Sequence, residues 1–244
     1  MKRLDQAVNF EFPWQSPRKS LQSHVIVTYR NDKVLCYASD TNKWFILPDL
    51  KSGRANLVSC QGNLYAKSRD FDKFQRYEPL FNQWLTLKTE MLVKPNTMAD
   101  TCHGKEMQVL VVQGEIYVIE DQPNPVLWKH NSDSNLWNSF PAFDWGNKNQ
   151  VCVVAAKEYI YAVGGRRYGD PNEGHPLRCD LLSDLESFNT KESAWEKMAS
   201  IQEARCLAFG TAVKKTIFIA GGIGSAGMIC RLARCIAHLQ TNGS

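Results

Sequence analysis

Apolar residues along this chain come in runs of strand length, broken by Asn, Asp, Ser, Pro and Gly. Leu64-Tyr65, Ile116-Tyr117, Ile160-Tyr161 and Ile217-Phe218 each mark an apolar run that carries an aromatic. Two of these runs end in a diglycine, Gly164-Gly165 and Gly221-Gly222. Each of the first three is followed by a ring and, seven positions after the ring, by a tryptophan: Tyr77 and Trp84, His130 and Trp137, Phe188 and Trp195. A further pair, Tyr37 and Trp44, opens the series. Four of the seven tryptophans therefore share one frame that recurs every 40 to 60 residues or so. A fixed offset at that period predicts a repeat protein.

Between ring and tryptophan lie turn formers, such as Ser39-Asp40-Thr41-Asn42 and Asn131-Ser132-Asp133-Ser134-Asn135. Short apolar runs joined by such residues predict strands in hairpins, with the ring near the end of one strand and the tryptophan opening the next. A further strand stands in front, as in Val151–Ala155 and Leu207–Thr211. Four strands in about 50 residues suit the blade of an all-β propeller. Glycines after an inner strand permit close backbone approach near the crowded axis.

The aromatic strand ending in Gly-Gly, then a ring, then Trp, resembles the kelch repeat. The likeness runs over residues 24–222 and is fullest in a fourth blade, about 151–198. Blades one to three have lost the diglycine, with Thr28-Tyr29, Lys67-Ser68 and Glu120-Asp121 near its place, and blade five, about 206–222, keeps a first half. The resemblance implies a kelch-type β-propeller. Kelch-like propellers usually have six blades, so the four and a half read here predict an incomplete, open one: a fragment, a splice form or a degenerate gene model.

Composition narrows the function classes. The net charge is +4, from 29 Lys and Arg against 25 Asp and Glu, too weak and scattered for a nucleic-acid partner. The first fifteen residues hold charge and no apolar signal core, and the longest apolar runs, 109–112 and 151–156, are strand-length. No membrane partner is expected. Of eight cysteines none forms C-x-x-C, and Cys36, Cys60, Cys152 and Cys206 lie in apolar strand contexts, where a free thiol packs as a small hydrophobe. Reduced thiols predict a cytoplasmic protein.

Candidate chemistry is sparse. No two of the five histidines have metal-ligand spacing, and His130 occupies a ring position of the repeat. Cys102-His103 are neighbours that a strand would point to opposite faces. The diglycines do not continue into a phosphate-binding signature. Some kelch propellers are copper radical oxidases, but their Tyr, His and Cys ligand set is not found here. The sequence predicts no enzyme, no metal and no cofactor.

One segment stands out. Residues 166–178, Arg-Arg-Tyr-Gly-Asp-Pro-Asn-Glu-Gly-His-Pro-Leu-Arg, follow the diglycine of blade four and exceed what a hairpin needs. Arg166, Arg167, Tyr168 and Arg178 are types favoured at binding hot spots, and Arg69 and Asp70 hold the matching place in blade two. The alternative is a tolerated surface insertion. The two ends fall outside the repeat. Residues 1–23 read as a linker or the end of an upstream domain. In the tail, 223–244, apolar residues at 229, 232, 236 and 239 follow a helical period, with Arg231 and Arg234 opposite. Such a helix would cap the exposed blade or dock on a partner; a segment translated out of frame is the other reading.

The resulting expectation is a protein-binding module that resembles the substrate-recognition half of kelch-like adaptors for cullin-RING ubiquitin ligases. Those adaptors carry BTB and BACK domains, for which this chain has no counterpart, so it would meet ubiquitin-ligase machinery only through a full-length relative. An actin-associated kelch scaffold and a non-functional truncated isoform are the alternatives, with a propeller enzyme as the third reading.

Overall fold

The structure, a computed structural model, describes residues 24–29, 33–38, 42–50, 55–68, 73–87, 107–120, 126–141, 148–168, 179–213, 216–224 and 235–238. It is all-β in these residues, and the chain divides into two compact units, residues 1–92 and 93–244.

In the first unit, strands β1 (His24–Tyr29), β2 (Lys33–Ala38) and β3 (Lys43–Leu47) form an antiparallel three-stranded sheet, blade one. Strands β4 (Ala55–Cys60), β5 (Asn63–Ser68), β6 (Phe74–Glu78) and β7 (Gln83–Leu87) form a four-stranded meander, blade two. Val34, Cys36, Phe45 and Leu47 of blade one meet Leu64, Ala66, Tyr77 and Trp84 of blade two in one core. The Trp84 indole N–H donates to the Pro48 carbonyl at 2.8 Å, which ties the two blades together.

The second unit begins with blade three: β8 (Met107–Val112), β9 (Glu115–Glu120), β10 (Val126–Asn131) and β11 (Leu136–Pro141). A short strand β12 (Lys148–Asn149) leads into blade four, made of β13 (Cys152–Ala156), β14 (Tyr159–Val163), β17 (Leu185–Asn189) and β18 (Ala194–Met198). Between β14 and β17 the chain leaves the blade through β15 (Arg166–Tyr168) and returns through β16 (Cys179–Leu181). After β19 (Arg205–Cys206), blade five consists of β20 (Phe209–Val213), β21 (Thr216–Ala220) and β23 (Cys235–His238), while β22 (Ile223–Gly224) pairs with β19. Gln108 of blade three reaches the edge of blade four: its amide donates to the Val151 carbonyl and accepts from the Val153 N–H. That edge strand would otherwise leave both groups without a ladder partner.

The recurrent sequence frame is a hairpin register. Tyr37 stands directly opposite Trp44, Tyr77 opposite Trp84, His130 opposite Trp137 and Phe188 opposite Trp195. Ring centroids lie 5.1, 5.3, 4.9 and 5.3 Å apart in that order, within the range of favourable aromatic contact. Each tryptophan is the second residue of its strand. Two residues before it the chain adopts positive φ: 53° at Asn42, 48° at Asn82, 55° at Asn135 and 55° at Ser193. Asn tolerates that region better than most side-chain-bearing residues, which is why it closes three of the four turns.

The tail corrects one expectation. The helical period over residues 228–239 predicts a helix, yet Cys235–His238 is a strand, paired antiparallel to β21 with Phe218 opposite Ile236. Residues 225–234 lie outside the described residues. The open edge of β21 offers a row of backbone donors and acceptors, and pairing them outweighs a short amphipathic period.

Candidate recognition ribbon on blade four

The diglycine of blade four is where the chain turns out of the blade. Gly164, at φ 65°, donates its N–H to the Asp184 carbonyl at 2.8 Å; Gly165, at φ 103°, donates to the Arg205 carbonyl at 2.8 Å. A Cβ on Gly165 would stand 2.8 Å from the Asn149 carbonyl oxygen and 2.9 Å from Val151 Cγ2, so both conformation and space require glycine there.

Beyond the diglycine, β15 pairs with β12 on one side and β16 on the other, a small ribbon separate from the blade sheet. As neighbours in the sequence, Arg166 and Arg167 are expected as a pair of contacts. Strand alternation separates them. Arg166 is half-buried, and its Nε donates to Asn149 Oδ1 at 3.3 Å. Arg167 is exposed and stands opposite Asp180, also exposed, and opposite Lys148 on the other side. Tyr168 pairs with Cys179 through the backbone. Arg178, Arg69 and Asp70 lie outside the described residues.

The ribbon stands on a buried ionic foot. Lys148 Nζ lies 2.8 Å from Glu186 Oε1 and 3.2 Å from Asp184 Oδ2, with the Lys148 side chain 2% exposed and that of Glu186 3%. Burial pushes the Glu186 carboxyl up from the usual carboxylate range, and the hydrogen bond and charge of Lys148 oppose it. Among the described residues Glu186 Oε2 has no hydrogen-bond partner. Arg205 holds the place of Lys148 relative to the second diglycine. Its guanidinium, fully buried, bonds the Gly221 carbonyl at 3.0 Å and Glu203 Oε2 at 2.6 Å. Sequence reasoning missed both cations. The signal was their equal distance upstream of the two diglycines.

Other expected positions fall into the core. Cys36, Cys60, Cys152 and Cys206 are buried thiols, and burial pushes that of Cys152 up to about 12, which leaves it unreactive. His130 is buried in its ring position, and burial lowers its pKa from the ordinary imidazole value. Among the described residues no group of three or more His, Cys, Asp or Glu side chains could hold a metal ion.

Residues 148–202 match the family model for the kelch motif. Blade four is thus similar to a kelch repeat. The matched stretch runs from Lys148 of the foot through the whole ribbon to the end of blade four. Kelch-like protein 40a of Danio rerio is 31% identical over 75 residues, which span 31% of this chain and 12% of that protein. Among solved structures, one described as "Structure of YjhT" superposes with a TM-score of 0.56 at 15% identity, covering 82% of this chain and 72% of that one. At that identity the likeness establishes the kelch-propeller fold alone. Among the described residues no helix is long and apolar enough to cross a membrane.

Proposed function

We propose that this kelch chain is a protein-binding module that recognises an acidic segment of a protein partner through the blade-four ribbon. The observation that carries the reading is that the kelch motif itself, residues 148–202, bears an exposed Arg167 on a ribbon whose strand β12 is anchored by a buried ion pair. A guanidinium on a rigid strand loses little freedom when it grips a carboxylate in two-pronged fashion. Tyr168 and Arg178, and separately Arg69 and Asp70, are further candidate contacts in this reading. In this reading the module is the substrate-recognition part of a ubiquitin-ligase adaptor in the cytoplasm, joined to the ligase by a full-length relative; similarity to kelch-like protein 40a supports its protein-binding part.

Affinity capture with the tagged chain, followed by mass spectrometry, identifies the partner. Titration of that partner against Arg167→Ala is the decisive measurement. Loss of a hot-spot arginine should weaken binding by about 2 kcal/mol or more, roughly 30-fold. Arg166→Ala should cost less, because Arg166 is already engaged with Asn149. Wild-type affinity in both variants and in Tyr168→Ala would remove the ribbon from recognition.

A further inference from the structure

Blade four buries one of its faces against blade five. Cys152, Val154, Ala156, Tyr161 and Val163 are buried there together with Ile217 and Ile219. Gly210 lets the blades approach: a Cβ at that position would stand 2.8 Å from Cys152 Sγ and would run into the Val154 side chain.

Counted from one diglycine to the next, these five residues correspond to Phe209, Thr211, Val213, Phe218 and Ala220 of blade five. The cross-strand register repeats as well. Cys152 opposes Val163 as Phe209 opposes Ala220, and Val154 opposes Tyr161 as Thr211 opposes Phe218. All five are nonetheless exposed, Phe209 at 81%, Val213 at 52% and Phe218 at 37%. The diglycines differ in the same sense. A Cβ on Gly164 would meet the Arg205 carbonyl of the following repeat, whereas one on Gly221 has nothing within 4 Å. Blade five therefore has the surface that seats a next blade.

Blade one has the opposite surface. In blades two and four the ring–Trp face is covered by the blade before it. Trp84 is 5% exposed and bonded to Pro48 of blade one, and Phe188 and Trp195 lie with Tyr117, Ile119 and Leu127 of blade three. Trp44, at the same register position in blade one, is 48% exposed, and Ile46 beside it on that face 37%. One chain thus exposes both halves of a contact that it makes internally elsewhere, and each half carries aromatic rings whose burial is favourable.

We propose that the open face of blade five, Phe209, Val213 and Phe218, seats the Tyr37–Trp44 face of blade one from a second copy of this chain. The contact repeats the geometry by which blade four seats blade five. It is head-to-tail, so it joins two different surfaces and leaves one of each free on a dimer.

Light scattering coupled to size exclusion, over a range of protein concentration, tests this. The wild type should exceed one chain mass and grow with concentration. Phe209→Arg and Trp44→Arg should each run at one chain mass, with a strand-type circular dichroism spectrum and a cooperative melt. Mixed in equal amounts, the two variants should form a two-chain complex, because each keeps the half that the other lost. Ile46→Arg replaces Trp44→Arg if the latter fails to fold. A wild type at one chain mass throughout overturns the proposal, and so does a Phe209→Arg variant that still associates. Two folded variants that stay apart on mixing overturn it equally.

Discussion

The Tyr77 hydroxyl donates to Asn82 Oδ1 at 2.8 Å, and Asn82 is also the residue that turns the hairpin, at φ 48°. One side chain thus serves the turn and anchors the buried ring. Tyr37 and Asn42 repeat the bond at 2.7 Å, and His130 and Asn135 at 2.9 Å. In blade four the ring is Phe188, which has no donor, and the turn residue is Ser193 rather than Asn. The bond and the asparagine are present or absent together.

Tyr77→Phe should cost about 1 kcal/mol of unfolding free energy, the usual worth of one part-buried hydrogen bond. Asn82→Gly keeps the positive φ without strain and should cost a similar amount. The double variant should lose no more than either single one, since both delete the same bond. Urea titration of the three proteins checks this; strictly additive losses would mean that the pair is not coupled.

His130 should make stability depend on pH. Burial, opposed by the bond to Asn135, lowers its pKa, so the folded protein keeps the imidazole neutral. The unfolded chain takes up a proton below about pH 6.5 and thereby binds more protons than the native state. The contribution is present above that value and is lost as pH falls through the folded one. His130→Tyr, which copies the Tyr77 arrangement, should remove that part of the dependence. The difference between the two proteins in urea midpoint over about pH 7.5 to 5.5 measures it.

Lys148→Met should be costly. It leaves the Glu186 carboxylate buried without its cation, which typically destabilises by about 3–5 kcal/mol. Loss of Lys148 raises the Glu186 pKa further, so the variant should lose stability as pH rises through the folded value of that carboxyl. Adding Glu186→Leu should recover most of the loss and flatten the pH profile. Failure of the second substitution to rescue would show that Lys148 acts through Asp184 instead.

The two glycines of the second diglycine should respond unequally to alanine. At Gly221 the cost is conformational alone, about 1–2 kcal/mol for a left-handed residue, because a Cβ there meets nothing. At Gly222 the same φ penalty is joined by a Cβ 2.5 Å from the Cys206 carbonyl oxygen, so the β19–β22 pairing must shift. Thermal melts should rank Gly222→Ala well below Gly221→Ala, and equal losses would contradict the close approach.

What the sequence determined by itself is the local part of the fold. Tyr77 and Trp84 are seven residues apart because a hairpin with that turn places them opposite each other, so composition and spacing suffice to find the blades. The kelch propeller fold follows from repetition of that unit. Only the tertiary structure decided the rest. Lys148 and Glu186 are far apart in the chain and meet because β12, paired with β15, brings Lys148 against β17. Arg166 and Arg167 look alike as neighbours, but strand pairing turns one toward Asn149 and leaves the other exposed. The helical period of the tail gave way over Cys235–His238 because β21 presented an unpaired edge. Periodicity records which neighbours a residue has along its own segment. Which segment will satisfy a distant backbone edge, cover an aromatic face or neutralise a buried charge is settled by packing between segments, where no spacing rule applies.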